Sequence, residues 1–144
     1  MRILWSLDLE VGAINPDELL GSISIEHNGF ILSDGPTFLD SWFRGLIQGY
    51  NCLREGMRRV EVDLVDEPHV LLFEAVGNGF CISYHNDLIP NVSLNDFYHA
   101  LLDSSVTLLI KVEAESKNRD FTMIKPIIEF VREQRYSQLR SLPE

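Results

Sequence analysis

Apolar and polar residues alternate from the start of the chain: Ile3, Trp5, Leu7, Leu9 and Val11 take every second position, with Ser6, Asp8 and Glu10 between them. A period of two marks a half-buried strand, because successive side chains of an extended chain point to opposite faces. The segment "SISIEHNGFILSD" alternates again and carries Asn28-Gly29, the pair that best tolerates the positive φ angles of a type I′ turn. With these two residues as the loop, Ile25 opposes Leu32, Ile23 opposes Asp34 and His27 opposes Phe30. Ile23, Ile25, Phe30 and Leu32 then share one face, and Ser24, Glu26, Ile31 and Ser33 the other.

The period then lengthens. Phe38, Leu39, Trp42, Phe43, Leu46, Ile47, Tyr50 and Leu53 recur at spacings of three and four, which predicts an amphipathic helix capped by Thr37 and ended by Gly56. Gly45 and Gly49 lie four apart within it and each cost about 1 kcal/mol relative to alanine, so close packing against a sheet is expected there. "RRVEVDLVDEP" reads as a short strand that ends at an Asp-Glu-Pro turn. "EPHVLLFEAVGNGFCISYHND" reads as a second hairpin. A two-residue turn at Asn78-Gly79 pairs Phe73 with Tyr84, Ala75 with Ile82 and Leu72 with His85. That register sends His69 and His85 to opposite faces. Two helices follow: one entered at Ser93, with Asp96 placed as in a capping box, the other over about Thr122 to Leu139, with Pro126 in its first turn. The expectation is an α+β protein in a single domain over residues 1–144, with a mostly antiparallel sheet of about six strands and three helices on its apolar face.

Length and composition agree with one globular unit: 144 residues, 45% hydrophobic and 24% charged, with no linker or repeat. Charge narrows the choice of partner. A net charge of −10 repels phosphate backbones and anionic membrane surfaces and favours basic proteins. Asp8 and Glu10 interrupt any secretory core at the N-terminus, and no apolar run reaches the length of a membrane span, so cytoplasmic residence is expected. Cys52 and Cys81 read as reduced thiols.

Motifs for nucleophilic, zinc or phosphate chemistry are absent, and Gly77-Asn78-Gly79 leads into a strand instead of the helix N-terminus a phosphate loop needs. Two side-chain groups remain as candidates. Asp63, Asp66, Glu67 and His69 cluster around one strand end, where oxygen and imidazole donors suit a divalent ion. Glu74, His85 and Asp87 offer a base with an orienting carboxylate. Turn and surface roles account for both groups equally well, so no metal, cofactor or catalytic residue is assigned.

A broader pattern stands out. The outward positions of the expected strands collect Asp8, Glu10, Glu26, Glu61, Asp63, Glu74, His85 and Asp87 among serines, while the basic residues fall in helices and loops, with Arg2 at the very start. Carboxylates facing one another across strands repel, and a basic partner would relieve that repulsion. These eight residues are therefore the expected partner-binding surface.

The order of elements between Trp42 and Tyr84, "SWFRGLIQGYNCLREG", then "VDLVDEPHVLLFE", a glycine turn and "CISY", resembles small bacterial immunity proteins of polymorphic toxin systems. The resemblance implies a small, acidic, cytoplasmic, non-enzymatic protein that neutralises a toxin by occluding it. It assigns no role to any residue.

Overall fold

The computed structural model describes residues 1–8, 15–16, 18–116 and 120–140, with side chains through Glu133. Seven strands precede the last two helices: β1 (Arg2–Leu7), β2 (Leu20–His27), β3 (Phe30–Phe38), β4 (Arg59–Asp63), β5 (Val70–Val76), β6 (Gly79–Tyr84) and β7 (Asp87–Val92). Helix α1 (Leu39–Arg54) separates β3 from β4, and α2 (Leu94–Glu115), a single 3-10 turn (Thr122–Ile124) and α3 (Lys125–Arg140) close the chain.

The fold is α+β, as expected, but its strands form two antiparallel sheets, β1-β2-β3 and β4-β5-β6-β7, and not one. The sheets meet where β3 lies beside β7. There the Ser33 amide donates to Asp87 Oδ2 at 3.4 Å instead of to a strand carbonyl. The unforeseen seventh strand, β7, reads DLIPNV. Pro90 and Asn91 are strand breakers, so nothing in its pattern announced a ladder partner for β6.

All three helices lie on one side. α1 packs on β2, β4 and β5, α2 on β1 and α1, and α3 on the other two helices. Trp42, Phe43, Phe73 and Phe97 are fully buried between the layers. The two helix glycines sit where the packing is closest: a methyl at Gly49 would stand 2.4 Å from the Phe73 ring, and one at Gly45 3.0 Å from Val62 Cγ1. Ser93 caps α2, its side chain accepting the Asp96 amide at 3.0 Å. Inward residues of the last helical segment are Ile124, Ile127, Phe130 and Val131, whereas Met123 is exposed.

The start of α1 differs from expectation. β3 runs on to Phe38, which takes the N-cap position without a side-chain bond, so Thr37 is not a cap. The helix end is satisfied from across the sheet: the Leu39 amide donates to the Leu19 carbonyl at 2.8 Å, and the Leu19 amide donates to Asp40 Oδ1 at 3.2 Å. Thr37 is thereby left to take part in the network described next.

Candidate functional site

The β2–β3 hairpin has the register its sequence predicts, with His27 opposite Phe30 and Ile25 opposite Leu32, although Phe30 is exposed. Asn28 and Gly29 both take positive φ, +50° and +85°. The β5–β6 hairpin does not follow expectation. Leu71 faces Tyr84, Phe73 faces Ile82 and Val76 faces Gly79, so the turn is Gly77-Asn78 and every pairing is displaced by two residues. Gly77, at φ +58°, takes the first central position of a type II′ turn. A shift of two leaves Leu71, Phe73, Phe80, Ile82 and Tyr84 on the apolar face, so burial could not distinguish the two registers.

The two histidines nevertheless meet, against expectation, because His69 precedes β5 and His85 follows β6 in a turn, where strand alternation no longer sets the face. Their rings stack at 3.9 Å between centroids with 32° between planes. His69 also meets the Tyr84 ring edge-on at 5.8 Å. His85 sits in the tight β6–β7 turn at φ +55°, a left-handed conformation that costs a β-carbon-bearing residue about 1 kcal/mol or more.

Beneath the histidines is a hydrogen-bond network that sequence reasoning missed. Trp42 Nε1 donates to both Asp34 Oδ2 and Thr37 Oγ1, each at 3.1 Å. Thr37 Oγ1 donates to Glu67 Oε1 at 2.6 Å, and the Tyr84 hydroxyl donates to Glu67 Oε2 at 2.9 Å. Burial, followed by the hydrogen bond to Glu67, raises the pKa of Asp34 above its ordinary value. Burial alone would also push Glu67 upward, but hydrogen bonds from Thr37, Tyr84 and Asp34, with His69 close by, hold it below its ordinary value. The two carboxylates are thus shifted in opposite directions, Asp34 toward its neutral form and Glu67 toward its charged one. Burial and the bond to Glu67 also raise Tyr84 far above the usual phenol range. β3 contributes Asp34 and Thr37, and α1, the β4–β5 turn and β6 one residue each, so the network pins both sheets to the start of α1. The network joins positions 34, 37 and 42 to 67 and 84, a separation that hid it from any local pattern.

Charges at the two ends of the second sheet are handled differently. At one end Arg59 pairs with Glu61 at 2.8 Å and with Glu74 at 3.4 Å. At the other, antiparallel topology gathers Asp63 at the end of β4, Asp66 in the turn at φ +58°, Glu67, His85 and Asp87, with Asp34 alongside. Among the described residues no lysine or arginine comes within ion-pair distance of these carboxylates. The sequence explains why: from Val60 to Ile110 it contains no lysine or arginine.

The eight expected surface residues therefore divide. Glu26 pairs with Arg2 at 2.6 Å, and Glu61 and Glu74 with Arg59. Both arginines belong to strands, so the expectation of a strand face without cations is corrected. Asp63, His85 and Asp87 lie at the cation-free end, and exposed Asp8 follows β1 at the corresponding end of the first sheet. Glu10 lies outside the described residues. The two metal or acid–base candidate groups fare differently. Glu74 stands opposite Cys81, four residues and roughly 13 Å of strand from His85, so it cannot act with His85 and Asp87. Among the described residues no three His, Cys, Asp or Glu side chains gather with metal-ligand geometry. No described helix is long and apolar enough to cross a membrane.

The chain matches no protein-family model, no curated protein and no solved structure.

Proposed function

We propose that this chain is a non-enzymatic acidic binding protein that docks a basic protein partner at the cation-free end of its second sheet. The uncompensated carboxylates of Asp63, Asp66 and Asp87 carry this reading, set in a chain of net charge −10. A field of one sign steers an oppositely charged protein to that end and speeds encounter. Burying these carboxylates against guanidinium or ammonium groups would replace solvent with charged hydrogen bonds and slow release. The network behind them presents the surface on a rigid support, which lowers the ordering cost of binding. The likeness to immunity proteins makes a nuclease-type toxin, occluded in the cytoplasm, the partner we favour.

Co-purification from the native host identifies the partner, and charge reversal then tests the surface. Asp63→Lys, Asp66→Lys and Asp87→Lys together are expected to weaken binding by more than about a hundredfold at low salt, while Glu61→Lys and Glu74→Lys weaken it far less. Equal losses from the two sets, or binding that does not weaken as salt rises, would reject this end as the docking surface.

A further inference from the structure

On the side away from the helices the first sheet is hollow. Leu4, Ser6, Ser22, Ser24, Ser33 and Gly35 surround an open trough of about 600 Å³. Trp5, Ile23 and Asp34 also border it, but alternation directs their side chains toward the helices: Ile23 is buried, Trp5 Nε1 donates to Thr107 Oγ1 of α2 at 3.3 Å, and Asp34 Oδ2 accepts from Trp42 Nε1 of α1 at 3.1 Å. Asp34 is the one ionisable residue bordering the trough, and the Ser6 and Ser22 hydroxyls within it bond each other at 2.7 Å. Large apolar side chains stand out from the same face: Ile31 is 56% exposed and Leu88 50%. The arginines of this face, Arg2 and Arg59, are already paired with its own Glu26, Glu61 and Glu74.

We infer that a second copy of this chain covers the face, with Ile31 and Leu88 of each protomer seated against the serine-lined trough of the other. A hollow and its filling side chains on one surface are what an isologous two-fold contact requires. Charge also favours this face: copies of net charge −10 repel, and here most fixed charges are neutralised within each copy. The two sheets together offer about 600 Å² per copy, near the lower limit for a specific interface, so the dimer is weak and reversible.

Because the copies carry like charge, salt should strengthen this contact, the opposite of its effect on a basic partner docked at the acidic end. The two surfaces can therefore be tested separately. Sedimentation velocity of the full chain alone, from about 10 µM to about 1 mM, is expected to show mass rising toward that of a dimer, with more dimer in about 0.5 M than in 0.05 M NaCl. Ser33→Arg and Leu88→Arg, each checked for an unchanged melting curve, should return the monomer. Both substitutions reduce the net negative charge, so loss of the dimer could not come from greater long-range repulsion between the copies. A monomer at every concentration, a dimer that salt dissociates, or one that survives both substitutions would overturn the inference.

Discussion

The two ends of the β4–β7 sheet stabilise their carboxylates, Glu61 and Glu74 at one and Asp63, Asp66, Glu67 and Asp87 at the other, by different means. At the Gly77-Asn78 end, Glu61 and Glu74 lean on the exposed side chain of Arg59, and the turn uses a glycine where φ is positive. At the His85-Asn86 end no lysine or arginine among the described residues is within ion-pair distance, the turn places a histidine at φ +55°, and Glu67 is held by hydrogen bonds from Thr37 and Tyr84. One end is arranged as ordinary protein surface. The other keeps negative charge and backbone strain where both cost stability, as expected of a surface shaped by what it binds.

Removing the acceptor of the network should have the largest effect. Glu67→Leu leaves the buried hydroxyls of Thr37 and Tyr84 without their carboxylate, which should destabilise the fold by about 2 kcal/mol in urea unfolding. Glu67→Gln keeps one acceptor oxygen and should cost less. Equal losses would mean that shape, not hydrogen bonding, holds this end together.

The turns should respond in opposite directions, by about 1 kcal/mol or less. Gly77→Ala places a β-carbon at φ +58° and destabilises, whereas His85→Gly relieves a left-handed residue and raises the melting temperature. If the His69 stack outweighs the strain, His85→Gly will instead lower it.

The same two turns show how far the fold was legible from sequence. Asn28-Gly29 fixed the first hairpin because both of its residues tolerate positive φ, so turn chemistry and burial selected one register. In the second hairpin Gly77-Asn78 and Asn78-Gly79 are both acceptable turns, and their registers differ by two residues. A period of two cannot separate them, and His69 and His85 were parted by extending strand alternation past the ends of β5 and β6, where it does not hold. Helix α2 and the close packing at Gly45 and Gly49 were legible because they rest on local spacing. The Asp34–Glu67 pair was not, since it depends on β3 lying beside β7, and no pattern within either strand encodes that neighbour. Of the expected partner surface, sequence identified the acids. It could not tell which lay beside Arg2 or Arg59, because pairing across strands depends on register.

pH offers a smaller effect. Asp34 binds its proton more tightly in the folded chain than in the unfolded one, so its contribution is present at low pH and is lost as pH rises from near 4 through its raised folded value. Glu67, shifted the other way, contributes stability that is lost as pH falls through its own lowered value. Asp34→Asn imitates the protonated form, so the variant should gain stability relative to the parent as pH rises from about 4 to 7. Solvent access to Asp34 limits the gain to a few tenths of a kcal/mol. A difference that stays constant over this range would mean that folding does not raise the pKa of Asp34.

Arg59→Gln should change least and gives the finest test of the contrast between the ends. The side chain is exposed, so its ion pairs with Glu61 and Glu74 should be too weak for their loss to shift the melting curve measurably. Its influence on an incoming basic partner depends on distance. Asp63 lies four residues along β4, roughly 13 Å away, beyond the screening length of about 8 Å at physiological salt. The association rate should therefore be unchanged at about 0.15 M salt and rise modestly near 0.01 M, where screening extends to about 30 Å and the two released carboxylates add to the field. Stopped-flow mixing at both salts separates the alternatives: an equal rise at both would mean that the partner lands beside Arg59 and not at the end where Asp63, Asp66 and Asp87 stand uncompensated.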